Sequence, residues 1–227
     1  MRKIISLISF ILFMCTLFFQ IYVAANPVIS FRVYQKIGIV ALEVFFLTLS
    51  LLTSLTITHD KKERKENIRL VLWIIFLVYI GNMIFLLFFD KDFGRNIIFR
   101  NGDVFYQAIN KINLKPMQMI RDYMSAYHHG NILFAHLVTN LVGNFIIFAP
   151  LGILLPSLFK SMNKWVNYAL LVTVLIITSE FMQYYLSVGV CDIDDFILNF
   201  SGAMVVYGFL KIPWINRLWQ RFINQEK

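Results

Sequence analysis

Apolar residues in this chain gather into long runs instead of recurring against a polar face. Ile4 to Ala25, Ile37 to Thr58 and Leu70 to Phe89 each supply the roughly 20 apolar residues a helix needs to cross a bilayer core. Ile132 to Phe159, Trp165 to Ser187 and Asp195 to Leu210 are weaker runs but long enough. The pattern predicts an all-α, polytopic membrane helical bundle of about six transmembrane helices with an outer interfacial segment. Its parts are three N-terminal transmembrane helices (1–89), an extracytoplasmic interfacial linker (90–130), a helical core (131–211) and a cytoplasmic basic tail (212–227). Within the linker Phe105, Ala108, Ile109 and Ile112, and then Ile120, Tyr123, Met124 and Tyr127, recur at helical spacing. That spacing predicts short amphipathic helices lying in the outer interface. Arg2, Lys3 and the closing Val23-Ala24-Ala25 give the first run the look of a signal peptide. Its length and the spans that follow make it an uncleaved signal anchor.

Composition agrees: the 227 residues are 59% apolar, 16% aromatic and 15% charged. Soluble domains sit near about 45–50% apolar and about 25% charged. Disorder is excluded, and with two cysteines a disulfide scaffold is excluded too. The net charge of +8 is read first as a topology signal. Lys61, Lys62, Arg64, Lys65 and Arg69 crowd one short loop, while Lys91, Arg95, Arg100, Lys111, Lys115 and Arg121 are spread thinly across the linker. The positive-inside rule then places both termini in the cytoplasm of a multi-pass cell-membrane protein. Nucleic acid is set aside as a partner, because no folded basic surface is left to carry it.

Ionisable groups inside a span cost about 2.5–3.5 kcal/mol each on insertion scales, so each needs a reason. Glu43 and Glu180 are the carboxylates inside the spans, and Asn82 lies at similar depth. Gln183 follows Glu180 at i+3, on the same helix face. His136, Asn140 and Asn144 follow one another at i+4. The loop from Gly189 to Asp195 carries Asp192, Asp194 and Asp195 and no cation, and Asp195 leads to Asn199 at i+4 and Gly202 at i+7. All these groups fall in the outer half of the predicted bundle, which argues for a shared polar cavity opening outward. The inner half offers hydroxyls such as Ser50, Thr53, Ser54 and Thr173, which can bond their own helix backbone.

Each residue also has a plain structural explanation. Asn140 and Asn144 serve equally well as interhelical glue, and His136 as a packing residue near a span end. An aspartate opening a helix caps free N–H groups, which accounts for one of the three but not for all. Glu180 with Gln183 is the pair hardest to explain by packing. Pro150 removes a helix hydrogen bond and should kink or break the fourth span.

Four segments then match a known pattern in order. Asn144-Phe145-Ile146-Ile147-Phe148-Ala149-Pro150-Leu151-Gly152 resembles the N-x-x-x-F-x-P-[LF]-G segment of VanZ-like membrane proteins. Glu180-x-x-Gln183 resembles their E-x-x-Q, and Asp192 through Asn199 to Gly202 resembles their D-[IV]-x-D-x-x-x-N-x-x-G. Asn113-Leu114-Lys115-Pro116 is similar to their N-L-x-P turn. The match covers about 110–210, and the first three spans carry no part of it. The chain departs from many relatives by holding Gly189-Val190-Cys191 where they place an arginine. The resemblance implies an association with lowered susceptibility to glycopeptide antibiotics, chiefly teicoplanin, whose acyl tail distinguishes it from vancomycin.

The expected function is binding of an amphiphile, a membrane lipid or lipid-linked envelope component, at the outer leaflet. Its headgroup would meet Asn140, Asn144, Glu180, Gln183, Asp192, Asp195 and Asn199. The alternative is an enzyme acting on an envelope lipid, with Glu180 as acid or base and Asp192, Asp194 and Asp195 around a divalent metal. An ion-coupled carrier using Glu43 and Glu180 would need polar groups continuing to the inner face. The sequence specifies no cofactor.

Overall fold

A backbone in hydrocarbon must satisfy its own N–H and C=O groups, so long apolar runs fold as helices. The computed structural model describes residues 2–25, 33–55, 60–89, 112–131, 134–186 and 188–224. Its helices are α1 (Arg2–Ala25), α2 (Val33–Leu55), α3 (Lys61–Phe88), α4 (Gln118–His128), α5 (Phe134–Ile147), α6 (Leu151–Leu158), α7 (Trp165–Tyr185), α8 (Ile193–Lys211) and α9 (Pro213–Asn224). A 3₁₀ turn, Lys160–Asn163, joins α6 to α7, and two short strands, β1 (Ile112–Asn113) and β2 (Cys191–Asp192), pair in parallel. Among the described residues, five stretches are long and apolar enough to cross a membrane: Lys3–Val23, Lys61–Phe88, Asn140–Leu158, Trp165–Tyr185 and Ile193–Lys211. The sixth expected span appears as α2, with a shorter apolar run, Gly38–Thr53.

Two compact units divide the chain, Met1–Tyr79 with Gln220–Lys227, and Ile80–Trp219. In the first, α1 packs on α2. Ser6 Oγ donates to the Ser50 carbonyl at 3.2 Å, and Ser50 Oγ returns a bond to the Ser6 carbonyl at 3.1 Å. Small hydroxyl residues let two membrane helices approach closely and join by hydrogen bonds. Phe13, Leu47 and Leu51 are buried, as is Glu43.

The second unit is built around α8, which packs against α5, α6 and α7. Closeness is set by glycine. A Cβ on Gly202 would overlap the Phe145 carbonyl oxygen, and one on Gly152 would lie 2.5 Å from the Tyr207 nitrogen. Two glycines of the motifs are therefore helix-crossing points. As expected from Pro150, the fourth span breaks: α5 ends at Ile147 and α6 starts at Leu151. Phe148, Leu151, Tyr168, Val172, Ile176 and Ala203 form the core, where the Tyr168 and Tyr207 rings stack with centroids 4.2 Å apart.

One described residue of the linker departs from the predicted pair of helices. Ile112 lies in β1, opposite Cys191, and not on a helix. Phe105, Ala108 and Ile109 lie outside the described residues. The second predicted helix is present as α4, amphipathic and without a fully buried residue. The basic tail is largely α9. Trp214 and Leu218 are exposed on it, while Trp219 Nε1 donates to Ser157 Oγ at 2.8 Å.

Candidate functional site

The site lies where α7 ends and α8 begins, and β2 delivers its first carboxylate. Asp192 is the N-cap of α8, its Oδ1 accepting from the Asp194 N–H at 2.8 Å. Its other oxygen accepts from Asn113 Nδ2 at 2.9 Å, across the β1–β2 ladder. Asn113 is held in turn, since its Oδ1 accepts from the Lys115 N–H at 3.1 Å. The Asn-Leu-Lys-Pro turn therefore presents an amide to the loop aspartate.

Asp194 is 0% exposed and faces another helix. Its Oδ1 accepts from the Met117 N–H at 2.5 Å, and its Oδ2 from the N–H groups of Met119 (2.8 Å) and Ile120 (3.3 Å). The residue before α4, Met117, has a left-handed backbone (φ 63°) and no capping side-chain bond. Asp194 supplies that cap from a distance. Hydrogen bonds to a charged partner contribute roughly 1.5–3 kcal/mol each, so this carboxylate anchors the interfacial helix to the bundle.

Asp195 accepts from Asn144 Nδ2, joining α8 to α5. One turn back on α5, Asn140 Nδ2 donates to the Tyr123 hydroxyl on α4. Gln183, 1% exposed, donates from Nε2 to the Leu87 carbonyl at 2.9 Å, satisfying a carbonyl in the last turn of α3. Its own backbone carbonyl accepts the N–H groups of Val188 and Gly189, which closes the loop. Of the polar groups expected to line a common cavity, Asp195 and Asn144 thus engage each other. Asp192, Asp194, Asn140 and Gln183 bond instead to Asn113, backbone N–H groups, Tyr123 and the Leu87 carbonyl. The His136 side chain lies outside the described residues, and Glu43 belongs to the first unit.

Three carboxylates act on the Cys191 thiol through their charge. Burial pushes the Cys191 thiol above its ordinary value, and the charges of Glu180, Asp192 and Asp195 raise it further. Glu180 is 6% exposed and Asn199 2% exposed. Asn199 Oδ1 has no hydrogen-bond partner among the described residues. An unpartnered amide oxygen such as Asn199 Oδ1 can accept a hydrogen bond from a donor.

The metal arrangement of Asp192, Asp194 and Asp195 that the alternative enzyme reading invokes is not present among the described residues. The first turns to Asn113 and its own helix, the second to the α4 N-terminus and the third to Asn144. No group of three or more His, Cys, Asp or Glu side chains placed to hold a metal ion occurs among the described residues. Sequence reasoning missed Asn113 and Tyr123 as partners in this network. Their signal was the N-L-x-P turn and an aromatic on the interfacial helix.

A sequence profile of VanZ/LLP1 matches residues 76–215, well over half the chain. The chain belongs to the VanZ/LLP1 family. It is a multi-pass membrane protein. The family region begins inside α3, which corrects the expectation that the first three spans lie wholly outside it. The Gln183–Leu87 bond gives a physical reason, because a motif side chain satisfies the end of that helix. Protein VanZ of Enterococcus faecium is 36% identical over 87 residues, covering 38% of this chain and 50% of that protein. The match thus spans half the length of the curated relative. No solved structure matches the chain.

Proposed function

We propose that this VanZ/LLP1 protein binds the headgroup of an amphiphile at the Glu180–Asp192–Asp195 end of α7 and α8, on the outer side of the membrane. In doing so it lowers susceptibility to lipidated glycopeptides such as teicoplanin. The buried acceptor of Asn199, one turn along α8 from Asp195, and the charges of Glu180, Asp192 and Asp195 felt at Cys191 support this reading. Such a site suits hydroxyl, amine or amide donors of a sugar or peptide headgroup. On the lipid side, Phe181 and Tyr185 are exposed on α7 and stack 6.4 Å apart, offering an apolar ladder to an acyl chain.

The test is susceptibility of a sensitive host expressing the chain, measured with teicoplanin and with vancomycin, which lacks the acyl tail. Protection against teicoplanin is expected with the native chain. It should be lost in Glu180→Gln and in Asn199→Ala at unchanged membrane abundance. Full protection in both variants would overturn the proposal.

A further inference from the structure

At the opposite end of α7 and α8 from the carboxylates lies a groove of about 650 Å³. Asn163, Lys164, Trp165, Asn167, Tyr207 and Lys211 line it. We infer that this groove binds the phosphate of an anionic phospholipid from the leaflet on that side.

Two lysines reach it from different elements, Lys164 at the start of α7 and Lys211 at the end of α8. Lys211 is fixed in place, its Nζ donating to Asn163 Oδ1 at 2.8 Å and lying 5.0 Å from the Tyr207 ring centroid. An ammonium has three donors, so it keeps two for a ligand. Asn163 is itself pinned, donating from Nδ2 to the Pro156 carbonyl while its backbone carbonyl accepts from the Tyr207 hydroxyl. The Lys164 side chain makes no hydrogen bond among the described residues, and as N-cap of α7 it offers none to the first turn. The N–H groups of that turn, whose residues also line the groove, add to a positive field.

Neither Lys164 nor Lys211 makes a salt bridge among the described residues. The chain carries no Asp or Glu from 123 to 179 or from 196 to 225, so Lys160, Lys164, Lys211, Arg217 and Arg221 lack an acidic partner in their own segments. The segments that line the groove supply no anion of their own. Lipid is favoured over a free phosphate by what adjoins it. Trp165 is 66% exposed, and a second, apolar groove begins one residue along α8, lined by Phe209, Trp214, Ile215, Leu218 and Trp219. Basic pockets between membrane helices bind anionic headgroups in this way.

Native mass spectrometry of the delipidated full-length protein, titrated with phosphatidylglycerol or phosphatidylcholine, tests the inference. One phosphatidylglycerol should bind in clear preference to phosphatidylcholine. Lys164→Ala should weaken it roughly fivefold, and Lys164→Ala/Lys211→Ala further. Lys160→Ala removes the same charge from the same turn but outside the groove lining, and should bind like the native chain. Equal binding of the two lipids, or equal loss in Lys160→Ala and Lys164→Ala, overturns the site. Displacement of the lipid by millimolar inorganic phosphate would overturn the lipid as its source. The readout is independent of antibiotic susceptibility, so the two proposals fail separately.

Discussion

Asp192, Asp194 and Asp195 stand within four positions of one another and do three different jobs. One caps its own helix, one caps a distant helix and one pairs with an asparagine. In the sequence the D-I-D-D run reads as a candidate metal or ligand cluster, because a linear string records proximity and not direction. The partners that separate them, Asn113, the α4 N–H groups and Asn144, are supplied by other elements. Glu180, Asp195 and Asn144 were legible as intramembrane or helix-opening polar groups, whose cost demands a reason. At this scale the Cys191 thiol gives a sensitive check. Its raised pKa means a smaller thiolate fraction at neutral pH, and thiolate is the reactive form. In a Cys15→Ser background, maleimide labelling of Cys191 should be slower than for an ordinary thiol. Labelling should go on rising with pH beyond the point at which an ordinary thiol levels off. Glu180→Gln removes one of the charges and should speed labelling at pH 7.5 several-fold. An unchanged rate would remove Glu180 from the cluster.

Helix existence was legible because hydrocarbon permits few alternatives, and the break at Pro150 followed from one missing N–H. The β1–β2 ladder was not legible, since two residues per strand carry no alternation to detect and their pairing joins segments far apart in sequence. Nor did the sequence reveal what the motif glycines do. Gly202→Ala should destabilise the protein by at least about 3 kcal/mol, as overpacking against a backbone carbonyl cannot be relieved by a rotamer change. A methyl added at Gly143 on α5 would meet nothing within 4 Å, so Gly143→Ala should be neutral or stabilising by up to about 1 kcal/mol. Thermal unfolding of the two variants in detergent should show a large fall for the first alone. Similar behaviour of both would mean that the α5–α8 crossing is looser than the Gly202–Phe145 approach implies.

The second unit is polarised end to end. Acids and amides gather where α8 begins and uncompensated cations where it finishes, with a tyrosine-stacked core between. Lysine and arginine distribution sets the expected direction, with the acidic end outward. A membrane-impermeant thiol reagent on intact cells should therefore label Cys191, whereas Lys160→Cys in a cysteine-free chain should label only after permeabilisation. The reverse pattern would put the carboxylates in the cytoplasm and end the outer-leaflet reading.

The remote cap on α4 has a consequence for biosynthesis. The N–H groups of Met117, Met119 and Ile120 leave the ribosome 74 to 77 positions before the carboxylate that receives them. Until Asp194 arrives, α4 has no side chain to cap it. Arrival requires α7 to have inserted and α8 to have begun. The capped form of α4 is thus assembled late, and a chain truncated ahead of Asp194 leaves that helix without its capping carboxylate.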